Sequence, residues 1–252
     1  MKYFIDTEFI EGTQKSLFGH TKPTIDLISI GIVADDGREY YAISKDFNLK
    51  EAWNRYELNH GNGDQRNKPP IRVYWLRENV LKPIWAEHAI IGTEFTKEDI
   101  GNLVTMSYKG LKEVIKKWGK SNKQIAEEVQ RFIRYNNHRN CNTGIIEGDI
   151  DKTPLEFYGY YSDYDWIVFC WLFGRMVDLP KGFPMYCHDL KQIFDDKIYQ
   201  HIVDNKISIT YWKELSKGLK NAPNYPKQKN EHNALSDARW NKKLFEFLNT
   251  IS

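Results

Sequence analysis

Several features that would assign this 252-residue chain at a glance are missing from it. No stretch reaches 18 uninterrupted apolar residues, so no membrane-spanning helix is expected. The three cysteines, Cys141, Cys170 and Cys187, form no Cys-x-x-Cys pair. An odd count without such pairs fits a reducing compartment and excludes a disulfide framework. The first residues carry neither a basic region nor an apolar leader core, so a cytoplasmic location is expected. Net charge is scarce too, since 36 basic and 34 acidic residues leave +2, which excludes a bulk polycation. The Gly-rich phosphate loop of nucleotide hydrolases is absent. So are internal repeats and low-complexity tracts.

What remains is an ordinary globular composition, 41% hydrophobic and 28% charged, with enough length for a substantial core and no demand for a second domain. Aromatics are plentiful, at 15 Tyr, 13 Phe and 8 Trp. Most belong in a core, although aromatic faces also stack on nucleic-acid bases. The basic residues cluster. Lys109, Lys112, Lys116, Lys117, Lys120 and Lys123 form one group, and Lys213, Lys217, Lys220, Lys227 and Lys229 a second. Taken singly, such runs are solvated faces, and they gain meaning only beside a polyanion site.

Residues 2–6 read as a short apolar strand. Thr24 to Ala34 and Arg38 to Ser44 flank Asp35-Asp36-Gly37, a strong hairpin signal. A short helix is expected over Glu51 to Leu58, a loop over His60 to Pro70, and helical pieces within Tyr74 to Trp85 and Lys97 to Trp118. Ser121 with Gln124 makes a capping box for a helix to Tyr135, whose apolar face is Ile125, Val129, Phe132 and Ile133. Asn136 to Asp151 reads as loop, Leu155 to Tyr160 as strand, and Tyr164 to Met176 as a buried helix. Further helices are expected over His188 to Phe194, Tyr211 to Lys217 and Ala234 to Leu248. The two prolines and the charges of Asn221 to Glu231 suggest a mobile loop there. Strands first, then strand–helix alternation, predict an α/β sheet with antiparallel and parallel parts.

Three short constellations carry chemistry. Asp6 and Glu8 stand two apart at the end of the first apolar run, so on a strand both carboxylates face one side and can meet one hard cation. His232 lies in a loop five residues before Asp237, which sits in the first turns of the last helix. A neutral imidazole there can take a proton from water. Asp163 and Asp165 follow a strand and open a helix, at the end of the strand where α/β sheets place ligands. Asp165 is the preferred ligand and Asp163 the preferred helix cap. Each signal alone has a bland reading: solvated strand-end acids, an exposed histidine with a helix-terminal acid, or two caps.

Taken together and in this order, the residues resemble the DEDD family of 3′–5′ exonucleases, His subtype, on a ribonuclease-H-like fold. Asp6-Thr7-Glu8 matches its first motif, Asp165 its middle acid, and His232 with Asp237 its last. The opening Tyr3 to Glu11, Ile28-Ser29-Ile30-Gly31, Asp36 to Ala42 and Trp75-Leu76-Arg77 with Val80-Leu81 are similar to the bacterial ribonuclease AS group, which favours adenylate-rich RNA. The likeness is poor around residues 86–122 and 196–228, which look like extra segments on a single exonuclease domain spanning 1–252.

The resemblance implies a mixed sheet of three antiparallel N-terminal strands plus parallel strands, flanked by helices. It also implies two Mg²⁺ or Mn²⁺ ions, about 3.5–4 Å apart, held by Asp6, Glu8, Asp165 and Asp237. His232 would be the general base, and Thr7 and Phe9 would contact the terminal nucleotide. Single-stranded RNA is the implied substrate, nucleoside 5′-monophosphates the products, and a homodimer the implied assembly. A DNA exonuclease and a catalytically silent nucleic-acid-binding module of the same fold remain the rival readings.

Overall fold

The computed structural model describes residues 1–15, 21–60, 69–89, 106–134 and 154–251. Its first strand, β1 (Lys2–Lys15), runs well beyond Asp6 because β2 (Thr21–Ala34) pairs with it antiparallel along the whole length, from Tyr3 opposite Ala34 to Lys15 opposite Thr21. β3 (Glu39–Ile43) closes the expected hairpin through a turn in which Gly37, at φ 89°, donates its N–H to the Ala34 carbonyl. A residue with a Cβ is strained at that φ. On the other side of β1 lie β6 (Glu156–Gly159) and β7 (His188–Asp189), both parallel, so the five strands stand in the order β3-β2-β1-β6-β7. This is the mixed ribonuclease-H-like sheet that the sequence implied. A separate two-stranded ribbon, β4 (Glu57–Asn59) with β5 (Ile71–Val73), projects beside it.

Helices cover both faces of the sheet. Tyr3 and Ile5 of β1 pack with Phe157 of β6 against α4 (Asn122–Arg134) and α5 (Asp163–Phe173). Phe4 points the other way, with Val33 and Tyr158, against α6 (Leu190–Asp204) and α8 (Ala234–Asn249). Farther along the hairpin, Ile10, Ile28 and Ile43 pack on α1 (Leu49–Asn54), α2 (Lys82–Ala89) with its preceding π-helical turn Arg77–Leu81, and α3 (Tyr108–Trp118). Tyr3, Phe4 and Ile5 are each at most 1% exposed. Burying side chains of this size contributes about 1.5–3 kcal/mol apiece, so the stem of β1 is firmly seated just before Asp6. The remaining helix, α7 (Trp212–Lys220), packs on α6.

The structure shifts several expected boundaries. The first helix starts earlier, because Asn48 caps it by accepting from the Glu51 N–H, and it ends at Asn54 as the chain turns extended at Arg55. The helix expected from His188 begins only at Leu190. His188 and Asp189 extend the sheet instead, and Asp189 caps the helix by accepting from Lys191 N–H at 2.7 Å. The buried helix stops at Phe173, where Gly174 takes φ 113°, and Met176 falls in a short 3-10 turn. Ser121 does cap α4, accepting from Gln124 N–H. The loop expected over Asn136 to Asp151, most of that over His60 to Pro70, and the start of the Lys97 segment lie outside the described residues.

Among the described residues no helix is long and apolar enough to cross a membrane. Cys170 and Cys187 are free. Burial pushes their thiols up to about 11 and about 12, so both stay protonated at neutral pH.

Candidate active site

The site is built where β1 passes the start of α8. Alternation along β1 sends Asp6 and Glu8 to the face that carries α8, while Thr7 points to the face covered by α5. Immediately after Glu8 the β1–β2 register shifts: Glu8 opposes Ser29 but Phe9 opposes Leu27. Ile28 is thus the extra residue of a bulge, a feature common beside active sites because it re-aims side chains. Opposite Asp6 sits Gly31. A Cβ on Gly31 would lie 2.3 Å from the Ala234 carbonyl oxygen and 2.4 Å from the Leu235 nitrogen. Glycine is required there for α8 to rest on β2. Asn241, one turn beyond Asp237 on α8, completes the clamp by donating to the Ile5 carbonyl at 2.8 Å.

These contacts bring carboxylate oxygens of Asp6, Glu8 and Asp237 within 4.8 Å of one another. Asp165 lines the same cleft but stands outside that trio. Thr7 holds it through two bonds to Oδ1, from the backbone N–H at 2.8 Å and from the hydroxyl at 2.6 Å. Thr7 is itself buried, so in this structure its hydroxyl orients Asp165. Asp163 is not the cap of α5. Ser162 occupies that position, reached through Tyr161 at φ 56°, and the Ser162 carbonyl already accepts from Trp166 N–H. Asp163 becomes the first helical residue, exposed, where its charge favours the helix N-terminus.

The electrostatics are those of crowded acids. Glu8, Asp165 and Asp237 are 9%, 6% and 6% exposed. Burial, then the charge of Asp165, then those of Glu8 and Asp237, hold the Asp6 carboxyl well above the usual carboxylate range. Burial with the charges of Asp237 and Asp165 raises Glu8 to about 8. Burial also raises Asp165, to about 6, although the Thr7 hydrogen bonds pull it back. Asp237 is raised by burial against hydrogen bonds from Gln228 and His232. Among the described residues, the charged groups that act on Asp6 and Glu8 are carboxylates.

His232 sits at φ 65° just before Asn233, which caps α8 by accepting from Ser236 N–H. Its backbone N–H donates to Asp237 Oδ2 at 2.8 Å, while Gln228 Nε2 donates to Oδ1 at 2.7 Å. The loop before α8 is thereby pinned on both oxygens of one acid, and Trp240 Nε1 adds a bond to the Pro226 carbonyl. The imidazole stands edge-on to Trp75, ring centres 4.7 Å apart. Two residues on, the Arg77 guanidinium stacks on Trp53 and Tyr74 and donates to the Trp53 carbonyl, which anchors the segment that carries Trp75.

Together these residues line a cleft of about 350 Å³ that holds Asp6, Thr7, Glu8, Phe9, Asp165, His232 and Asp237. All seven residues singled out from the sequence therefore face one space. Its other walls include Trp75, Tyr160, Tyr161, Gln228, Trp240 and Asn241, none of which had been assigned a place in the site from the sequence. Asn241 lies four residues after Asp237 on one helix face, and that spacing could have exposed it. Gln228 lies in an irregular loop, where no periodicity applies. Phe9 meets Tyr164 edge-on at 5.7 Å and is partly exposed.

Two relatives, the 3′-5′ exoribonucleases MT2234.1 and Rv2179c of two Mycobacterium tuberculosis strains, are each 28% identical over 198 residues, covering 78% of this chain and 76% of theirs. Residues 1–249 match the family model described as the 3′-5′ exoribonuclease Rv2179c-like domain. With that match running through nearly the whole sheet, its helices and the acid cleft, the chain belongs to the Rv2179c-like 3′–5′ exoribonuclease domain family, and with it to the 3′–5′ exonucleases.

Proposed function

We propose that this chain is a metal-dependent exonuclease of the DEDD type, His subtype, which removes nucleoside 5′-monophosphates from the 3′ end of single-stranded RNA. The observation that carries this reading is the convergence of Asp6, Glu8 and Asp237 within 4.8 Å, in a cleft that also presents Asp165 and His232. Buried charges persist when they are paired or coordinate a metal. The donor set is all carboxylate oxygen, which suits hard divalent ions such as Mg²⁺ or Mn²⁺. Asp6, Glu8, Asp165 and Asp237 would hold two such ions. Once bound, they supply Lewis-acid activation of water and charge stabilisation of the departing oxygen.

The protein's own groups do the rest. His232 accepts the proton of the attacking water, and Trp75 fixes the plane of its ring. Gln228 and the His232 backbone orient Asp237, and Thr7 orients Asp165 while presenting its hydroxyl lone pairs to the terminal nucleotide. Phe9, beside the acid pair, offers a face for the terminal base. The resemblance to the ribonuclease AS group adds adenylate preference, a homodimer, a single domain and a cytoplasmic setting to the same proposal.

The decisive experiment digests 3′-labelled and 5′-labelled RNA and DNA homopolymers with Mn²⁺, with and without chelator. Stepwise release of 5′-monophosphates from the 3′ end of RNA, abolished by chelator, is expected. Equal cleavage of DNA would move the substrate to DNA or to both. Chelator-insensitive cleavage would refute the metal assignment.

A further inference from the structure

A polymer whose 3′ end enters the acid cleft must leave it along a defined surface. Next to the cleft lies a second depression, of about 160 Å³, and the two share Phe9, Trp75 and Leu76 as a common wall. Its far side is formed by Arg55, Tyr56 and Val73, at the base of the β4–β5 ribbon. All six residues of that ribbon are exposed, and two-stranded ribbons of this size are marginal on their own. Large apolar groups cluster on and beside it: Tyr56, Leu58, Ile71, Val73 and Trp75 are between 37% and 68% exposed. The Arg72 guanidinium lies 4.6 Å above the Tyr56 ring, and Tyr56 lines the same depression as Trp75.

Charge decides what fits. Glu11 and Glu57 line the depression. The Arg55 guanidinium is already held by Glu51 and by the Glu11 carbonyl. With its carboxylates offsetting its guanidiniums, such a surface is no phosphate track, but it offers aromatic and guanidinium faces, which bind bases without sequence preference. Resting on the exonuclease reading above, we propose that Tyr56, Arg72 and the outer side of Trp75 form a second subsite, which stacks the bases just upstream of the scissile phosphate. The neighbouring cavity on the other flank, lined by Lys220 and Lys227, has ammonium groups suited to phosphate and is the alternative exit.

Three substrates separate these possibilities: the p-nitrophenyl ester of uridine 5′-monophosphate, which reaches only the acid cleft, an RNA octamer, and the same octamer made abasic at the two nucleotides before its 3′ end. Tyr56→Ala and Arg72→Ala are expected to lower kcat/KM on the octamer roughly 5- to 150-fold, the range for loss of one stacked base, with ester hydrolysis unchanged. For wild type, the abasic octamer should be as poor as the intact octamer is for the variants, and the variants should not distinguish the two. Unchanged octamer cleavage, or undiminished discrimination against the abasic octamer, overturns the subsite. So does a Lys220→Ala/Lys227→Ala protein that alone loses the advantage of the octamer over the ester. Fluorescence anisotropy with labelled octamers reads the subsite independently of turnover. A wild type that binds the octamer more tightly than Tyr56→Ala does but cleaves nothing would sink the nuclease reading and keep the subsite.

Discussion

At Glu8 the folded protein holds a proton that the unfolded chain has already lost. Burial and two neighbouring acids move its pKa from 4.5 to about 8. Asp6, Asp165 and Asp237 are shifted in the same direction. A raised carboxylate pKa means that the metal-free folded state binds more protons than the unfolded one between the two values, so its stability falls as pH rises through that window. In chelator, the protein should therefore lose on the order of 2–4 kcal/mol between pH 5 and 8, read as a midpoint in urea at each pH. A flat or rising profile would mean that the acids are not crowded as described. Asp6→Asn removes one of the repelling charges, and should stabilise the metal-free protein at pH 8 by on the order of 1 kcal/mol while abolishing RNA hydrolysis. A structural residue would destabilise on substitution, so the pairing of gained stability with lost activity is diagnostic. His232→Ala should lower kcat by about 10²- to 10⁴-fold at unchanged far-UV circular dichroism, the usual contribution of a positioned base.

The elements differ in how openly the chain declares them. The hairpin was legible because Asp36-Gly37 supplies the turn and the flanking runs are β-branched; α4 was legible because Ser121 caps a clean apolar periodicity. The acid pair was legible because alternation on a strand is a local rule. By contrast, His188 and Asp189 form a strand only because β6 lies alongside, and that pairing is non-local. The role of Asp163 depended on Tyr161 adopting φ 56°, which no residue pattern signals. Gly31 sits in a run that reads as plain strand, yet it sets the height of α8 above the sheet. Gly31→Ala should therefore destabilise the fold by roughly 3 kcal/mol, as overpacking against backbone does, and lower activity further than the unfolded fraction explains, since Asp237 rides on the displaced helix. Gly218→Ala on α7 is the matched control: its Cβ would meet nothing within 4 Å. It should be neutral or stabilise by up to about 1 kcal/mol through helix propensity. Equal losses at both glycines, measured by thermal melts, would refute the close-approach argument.

Across the whole molecule the site joins parts that are distant in sequence. β1 brings Asp6 and Glu8, the first turn of α5 brings Asp165, the loop before α8 brings His232, and the first turn of α8 brings Asp237. The lysine clusters sort by position. α3 keeps Leu111, Val114 and Ile115 inward and Lys109, Lys112, Lys116 and Lys117 exposed, a solvated face away from the cleft. The second cluster contributes Lys220 and Lys227 to the cavity next door. What no sequence rule could supply was the sign of the coupling between site and fold. The carboxylates that would hold the metal repel one another across the junction of β1 and α8, so without an ion that repulsion would work against the packing of Phe4 on α8. A divalent ion reverses that sign, because it binds the folded cleft and not the open chain. At about 100 times its dissociation constant, such an ion stabilises the fold by about 2.7 kcal/mol. For a chain of this length that is a rise in melting temperature of roughly 5–10 °C. Mn²⁺ titration of the wild type should show this rise. Asp6→Asn and Asp237→Asn should lose most of it, and the surface variant Lys112→Ala should keep it in full. A rise that survives both aspartate substitutions would place the ion elsewhere, and the cleft would then have to manage its four acids by proton uptake alone.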